Sequence, residues 1–327
     1  MIKTFFDMCS GIGAGRLGLE NCGLRCIGRS ETSKLSDRTY MLMHKTDGEM
    51  NFGNLKKINA NKLPDFDLLI AGFPCQSFSV IGNKTGFLDD RGQIIFHIAR
   101  ILSEKQPTCF ILENVKGLLS HNNGETLKTI LQCLKSAGYA ITYKVLNSLY
   151  YGVPQMRQRI YIIGVNKQPM NFWDDFKWPQ EESPVELGEF LVDKTLISPE
   201  SLNKFSYYLQ NKTNCNKYKI NDIYKLNSNT VLDTRMNDLR IYTNKVPTLR
   251  AHRNGILYVI ENTIYELSGC EALMLQGFPK QYVDKVRNYV SNHHLLMQAG
   301  NAMTVPVITK ICNKILNYIK CKELHYE

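Results

Sequence analysis

From residue 1 to about 165, short apolar runs alternate with stretches whose apolar residues recur every three or four positions. The runs at 2–6, 24–28, 66–71, 108–112 and 159–165 predict strands, being short, rich in Ile, Leu, Val and Phe, and bounded by polar or glycine positions. Residues 93–103 and 125–137 carry the helical spacing, and Gly138 supplies a stop for the second. Strand and helix in alternation predict an α/β fold, a doubly wound and mostly parallel sheet. Between about 168 and 262 the pattern dissolves into Pro, Asn, Tyr and charge, which predicts a smaller, irregular second domain. Helical spacing resumes at 267–276 and 304–319, so residues 263–327 are expected to return to the domain built by residues 1–167.

Composition narrows the class. In 327 residues there are 40 Lys+Arg against 30 Asp+Glu, a formal charge of +10, and 43% apolar residues suffice for an ordinary core. No apolar run approaches the roughly 20 residues of a membrane span, and Asp7 interrupts the N-terminus before a signal-peptide core could form, so a soluble, cytoplasmic protein is expected. Ten cysteines without a CxxC pair fit neither a disulfide scaffold nor a zinc site, and no metal is expected. The charge is localised: residues 171–200 hold eight acids and two lysines, whereas 201–250 hold nine Lys/Arg, three acids and several tyrosines. Such a basic, aromatic, Asn-rich stretch can neutralise phosphates and offer amides to base edges, although a solvated loop face would look similar.

Polar groups gather where the predicted strands end: Asp7 after the first, Glu31 after the second, Cys75 and Glu113 after the next two. Open α/β sheets bind ligands along that edge. Asp7-Met-Cys-Ser-Gly11-Ile-Gly13-Ala-Gly15 joins strand to helix, but Arg16 occupies the third glycine position of a dinucleotide fingerprint, which disfavours nicotinamide or flavin. Glu31 stands where it can hold the ribose hydroxyls of a nucleoside cofactor, and S-adenosyl-L-methionine, lacking phosphates, suits this reduced pattern. Cys75, within Gly72-Phe-Pro74-Cys75-Gln-Ser-Phe-Ser79, reads as a nucleophile when taken with Glu113-Asn114 and with Gln155-Met-Arg157-Gln-Arg159, whose cations would favour the thiolate.

These blocks, together with Gly86-Phe-Leu-Asp-Asp-Arg91, Glu113-Asn-Val-Lys-Gly117, Leu267 through Gln276-Gly-Phe-Pro279 and Gln298-Ala-Gly-Asn301-Ala302, occur in order over nearly the whole chain. The sequence resembles the C5-cytosine DNA methyltransferases of bacterial restriction-modification systems. The resemblance implies a Rossmann-like catalytic domain that flips a cytosine out of duplex DNA. Cys75 would attack C6, and Glu113, its proton retained by a poorly solvated site, would hold N3 and the exocyclic amine. Arg159 with Arg157 would clamp the cytosine carbonyl or the adjoining phosphate. S-adenosyl-L-methionine would methylate C5 and leave as S-adenosyl-L-homocysteine. Asp7, Gly11, Gly13, Glu31, Thr32, Asn54, Leu55, Pro74, Ile94, Asn301 and Ala302 map to cofactor positions. Residues 77–92 match a mobile catalytic loop whose Ser79 and Lys84 meet DNA. Residues 168–262 match the target-recognition domain, where Lys217, Lys219, Arg240 and Arg250 are expected on DNA. A monomer is expected, in functional partnership with a restriction endonuclease or as an orphan enzyme, methylating double-stranded DNA with no membrane involvement.

Four positions depart from the family pattern. Gly15 stands where an aromatic often covers the adenine, Thr32 where a bulky apolar residue is common, and Asn54 in place of an Asp that accepts from the adenine amine; together they predict a loose cofactor site. Tyr265 replaces an arginine that commonly opens the Leu267 block.

Overall fold

The structure, a computed structural model, describes residues 2–74 and 94–323. The chain forms two compact units: residues 1–146, 158–180 and 303–327 make the first, and residues 147–157 and 181–302 the second.

The first unit is built on a six-stranded sheet. Its strands are β1 (Thr4–Met8), β2 (Arg25–Ser30), β3 (Leu68–Gly72), β4 (Cys109–Val115), β5 (Tyr139–Asn147) and the strand Gln158–Asn166, in the order β2-β1-β3-β4-(Gln158–Asn166)-β5. β1 pairs in parallel with β2 and β3, and β3 with β4, while Gln158–Asn166 runs antiparallel to β4. Central strands of such a sheet are covered on both faces and need unbroken apolar runs. β4 meets that demand, with every residue buried except its last. Between the strands lie helices α1 (Ala14–Glu20), α2 (Lys34–Met43), α3 (Ile94–Lys105) and α4 (Glu125–Ser136). α3 and α4 turn Ile98, Ile101, Leu102, Ile130 and Leu134 into one core with Phe6, Leu69 and Phe110. The expected doubly wound α/β sheet is present, with strand boundaries displaced by one to three residues. β5 is not among the expected strands: after Tyr139 and Ala140 every residue except the buried Leu146 is at least partly exposed, as at a sheet edge, and the apolar run is interrupted by Thr142 and Lys144.

The second unit corrects the expectation of an irregular domain. It holds a five-stranded antiparallel sheet in the order Arg240–Thr243, Thr230–Asp233, Ile256–Ile260, Thr263–Glu266, Thr195–Leu196. Helix Pro199–Leu209, capped by the Ser198 hydroxyl, lays Phe205 and Leu209 against Leu232, Leu257 and Val259 of that sheet. Strands of two to five residues are too short to display a period.

Unit boundaries also fall elsewhere than at 168 and 262. Residues up to 180 stay with the first unit because Trp173 stacks on Tyr318 at 5.6 Å and donates its indole N–H to Ala140 O at 2.9 Å. Residues 263–302 stay with the second, where helix Gly269–Met274, shorter than expected, begins in a capping box between Ser268 and Glu271. Only from Met303, through the helix Val305–Glu323, does the chain belong to the first unit again.

Candidate functional site

The glycine turn after β1 is fixed from two sides. Gly11 and Gly13 take φ of +55° and +82°, and a Cβ on Gly11 would meet nothing within 4 Å, so a ligand can approach the backbone there. On one side the Glu31 carboxylate accepts from Gly11 N at 2.8 Å and from Thr32 N and Ser33 N at 2.8 and 2.7 Å. On the other lies His44, buried, with Nε2 3.1 Å from Ile12 O and so close beneath Gly13 that a Cβ there would come within 2.3 Å of it. Nothing in the sequence marked His44, because its role depends on α2 folding back under the turn.

Several cofactor candidates change meaning. Asp7 is fully buried, points into the unit and accepts from Tyr40 OH at 3.4 Å, so it underlies the turn rather than lining its surface. Burial pushes its carboxyl well above the ordinary range, against the neighbouring Arg16 guanidinium and the Tyr40 hydroxyl, which act downward. Arg16 is itself buried and held by both oxygens of Glu49, at 2.6 and 3.0 Å, and by Glu20 at 2.7 Å. Leu55 is buried in the main core, and Asn54 uses its side-chain oxygen to cap Lys56 N at 3.0 Å. Thr32 is exposed beside Glu31. The space at Gly15 is filled: a Cβ there would lie 2.7 Å from Met303 Cε and 2.9 Å from Ile70 Cδ1.

At the carboxyl end of β3 and β4 the register sets Gly72 beside Glu113. Glu113 pairs with Tyr161 and Val115 with Arg159, so Glu113 and Arg159 are diagonal neighbours on one face. The Arg159 Nε lies 3.1 Å from Glu113 Oε1, yet that buried oxygen has no hydrogen-bond partner among the described residues, because the charge faces it without an N–H aimed along its lone pair. Asn114 donates to Phe73 O at 3.0 Å and thereby ties β4 to the segment Phe73-Pro74, whose next residue is Cys75. Pro74 is exposed, and Ile94, half-buried, opens α3. Cys75, Ser79 and Lys84 lie outside the described residues, as does the rest of the loop at 77–92.

In the second unit Arg157 is not a partner of Arg159. It is buried, and its guanidinium donates to Leu249 O at 3.0 Å, to Gly300 O at 3.3 Å and to Ala302 O at 2.8 Å. The expectation fails because Gln155–Met156 forms a short bridge with Val246–Pro247, which turns the chain before the strand at Gln158 begins. Asn301 ends helix Asn292–Asn301 and is exposed, and Ala302 is buried after it. Lys217 holds Asp238 at 2.9 Å, and Lys219 stands at the start of helix Ile220–Tyr224. Arg240 and Arg250 are exposed and line one small cleft with Tyr242. The replacement at Tyr265 gains an account: Tyr265 stacks on Tyr258 at 5.4 Å, and Tyr258 OH donates to the buried Glu271 at 2.9 Å. Together with Ser268 N and Asp193 N, these neutral donors serve the carboxylate.

Among the described residues, no helix is long and apolar enough to cross a membrane, and no three His, Cys, Asp or Glu side chains converge as a metal site would require. The family model for C-5 cytosine-specific DNA methylases matches residues 3–317. The type II methyltransferase M.NgoBI of Neisseria gonorrhoeae is 37% identical over 321 residues, 96% of this chain and 93% of that protein. M.HhaI of Haemophilus parahaemolyticus is 32% identical over 325 residues, covering 95% and 93%. The crystal structure of the S. pombe Dnmt2 methyltransferase shares the fold, with a TM-score of 0.68 at 16% identity over 98% of this chain and 99% of that one.

Proposed function

Because the chain belongs to the C-5 cytosine-specific DNA methylase family, we propose that it methylates carbon 5 of a cytosine flipped out of a short duplex-DNA site, using S-adenosyl-L-methionine. The observation that carries the reading is the buried Glu113 carboxylate, set in register beside Gly72 and 3.1 Å from the Arg159 guanidinium, with no aligned hydrogen-bond donor on Oε1 among the described residues; Cys75 follows Gly72 by three positions in the sequence. A buried carboxyl oxygen that faces a guanidinium but accepts no aligned hydrogen bond from the described residues suits the edge of a cytosine ring.

The residues divide the work. The Cys75 sulfur attacks C6 as its thiolate, and the electron pair of the C5–C6 double bond is displaced toward C5. Glu113 holds N3 and the exocyclic amine, which steadies charge building on the ring. Arg159 presents a fixed cation to the base carbonyl or the adjoining phosphate, a planar role that lysine would fill poorly. S-adenosyl-L-methionine, when bound, supplies an electrophilic methyl group to C5 and departs as S-adenosyl-L-homocysteine. Loss of the C5 proton to a base and expulsion of the Cys75 thiolate then restore the aromatic ring. The first unit's glycine turn fits the cofactor: open backbone at Gly11, with the Glu31 carboxylate beside it as a ribose-hydroxyl acceptor. Thr32, Asn54, Pro74, Ile94, Asn301 and Ala302 complete the cofactor positions on this reading. Recognition of the DNA falls to the second unit, with Lys217, Lys219, Arg240 and Arg250 among the contacts. The setting is the bacterial cytoplasm, where the enzyme protects its site alone or alongside a restriction endonuclease.

Labelled S-adenosyl-L-methionine offered with duplex DNA or with tRNA tests this. Label is expected in duplex cytosine and is expected to vanish in Cys75→Ala. Label confined to tRNA, or persisting in DNA with the variant, would overturn the substrate or the nucleophile respectively.

A further inference from the structure

Glu31 is held at both its side chain and its backbone. Its carboxylate accepts from the amides of Gly11, Thr32 and Ser33, and its backbone is gripped by one side chain, Asn51. The Asn51 carboxamide oxygen accepts from Glu31 N at 3.0 Å and from Gly53 N at 2.9 Å, while its nitrogen donates to Glu31 O at 3.1 Å. Two N–H groups meet one end of the amide and a carbonyl meets the other, so the surroundings fix which end is oxygen. Asn51 thereby pairs with both backbone groups of Glu31, as a neighbouring strand would, one residue beyond the end of β2.

β2 itself brings Asn51 to this place. Arg29 N donates to Met50 O at 3.1 Å and Phe52 N donates to Arg29 O at 2.8 Å, which makes a parallel bridge between Arg29 and Asn51. The Ser30 hydroxyl donates to Gly53 O at 2.7 Å, so both polar backbone groups of Gly53 are occupied, one by Ser30 and one by Asn51. Gly53 is kept at φ +64°, where a Cβ would meet nothing within 4 Å, and Gly11, at φ +55°, is open in the same way. Glu31 is tied to the first of these glycines through Asn51 and to the second through its carboxylate. A half-buried carboxylate fastened to two stretches of bare, ordered backbone has little freedom left to lose when a ligand hydroxyl binds it. All of these residues belong to the first unit.

We infer that Asn51 is a positioning residue for cofactor binding, holding the Glu31 carboxylate where the ribose hydroxyls reach it. Both ends of its carboxamide are taken, so it acts through Glu31 and not on the cofactor. The inference rests on the reading that Glu31 serves the ribose of S-adenosyl-L-methionine, and it gives Asn51 a role that this reading does not contain.

Calorimetric titration of the whole chain with S-adenosyl-L-homocysteine, and with its analogue lacking both ribose hydroxyls, tests the role. Wild-type protein is expected to prefer the natural compound by about 10- to 100-fold, as one or two hydrogen bonds to a charged acceptor would give. Asn51→Ala is expected to weaken S-adenosyl-L-homocysteine by about 10-fold while leaving the analogue within about 3-fold, so that the preference shrinks. In methylation assays its KM for S-adenosyl-L-methionine rises and kcat changes little. Asn51→Asp still accepts from both amides but sets an oxygen against Glu31 O; it is expected to shrink the preference by about 3-fold or more, and it carries the test if the alanine variant does not fold. In a Glu31→Ala background, Asn51→Ala is expected to add almost nothing to the loss. Equal losses for both compounds, or a preference kept at its wild-type value, would overturn the positioning role, as would additive losses from Glu31→Ala and Asn51→Ala. Wild-type protein that binds the two compounds alike refutes Glu31 as the ribose acceptor and the inference with it, whereas wild-type protein that binds neither sinks the cofactor reading itself.

Discussion

The candidate site of the first unit and the arginine cluster of the second handle charge in opposite ways. Around the glycine turn and Glu113, ionic groups are turned inward and tied to the backbone or to one another: Arg16 to Glu49 and Glu20, Glu31 to three backbone amides, Glu113 opposite Arg159. In the second, Arg240, Arg250 and Arg253 are left on the surface without acid partners among the described residues, although buried pairs such as Arg235–Asp233 stand next to them. Reaction geometry has to be maintained to a fraction of an ångström, which rewards groups fixed by many partners. Attraction to a polyanion needs uncompensated charge, and every internal ion pair subtracts from it. One site fixes its ionic groups with partners, and the other leaves three arginines without acid partners among the described residues.

The sharpest way to break this division is at Glu113. Glu113→Gln keeps the size of the side chain and removes the carboxylate opposite Arg159. A fall in turnover of about 10²- to 10⁴-fold is expected, with duplex-DNA affinity within a few-fold of wild type. Single-turnover methylation and anisotropy, run on the same preparation, separate the two. A comparable fall in both would mean that the first unit contributes substantially to holding DNA, and the division would fail.

A second, smaller effect separates the two glycines of the turn. Gly13→Ala forces an L-residue to φ +82° and drives a methyl into His44 and Tyr40, at 2.3 and 2.9 Å. The backbone conformation costs about 1 to 2 kcal/mol and the overpacking about 1 to 3 kcal/mol. Gly11→Ala meets only open space, so it is expected to lose about 1 to 2 kcal/mol of stability while impairing cofactor binding, because its methyl projects where a ligand would approach. Denaturant midpoints and calorimetric titration with S-adenosyl-L-methionine distinguish them. Equal destabilisation by the two changes would show that His44 yields, and that the turn is not fixed from beneath.

The same contrast explains what was legible in the sequence. β1, β3 and β4 announce themselves as apolar runs because both faces of a central strand are covered; β2, at one edge of the sheet, still buries Cys26, Gly28, Arg29 and Ser30, and Glu31 and Glu113 stand at the carboxyl ends of β2 and β4. β5 and the antiparallel sheet were hidden: an edge strand tolerates Thr142 and Lys144, and Thr230–Asp233, buried at all four positions, shows no alternation. Arg157 and Arg159 are two apart, a spacing that would put them on one face of a continuous strand. The chain changes partners between them, from Val246–Pro247 to β4, and that joint is set by residues nearly a hundred positions away. Closing an apolar run, Asp7 predicts a carboxylate at the ligand edge, but the alternation of side chains along β1 turns it toward Tyr40.

Asp7 also supplies the smallest and most selective test of inward-turned charge. Burial raises its pKa well above that of an exposed aspartate, which is near 4, so over a range above that value the folded carboxyl retains a proton that the unfolded chain has lost. The stability this confers is fully present below the unfolded pKa and is lost as pH rises through the folded one. Asparagine has a similar shape, can accept from Tyr40 and does not titrate. The advantage of Asp7→Asn over wild type is therefore expected to grow with pH, by at most about 1.4 kcal/mol per pH unit, until the folded pKa is passed. Unfolding of both proteins at pH 5, 6, 7 and 8 measures it. Parallel curves would mean that Asp7 is ionised in the folded protein, its charge carried by Arg16 rather than removed by a proton, and the buried cluster beneath the glycine turn would then be an ion-pair network.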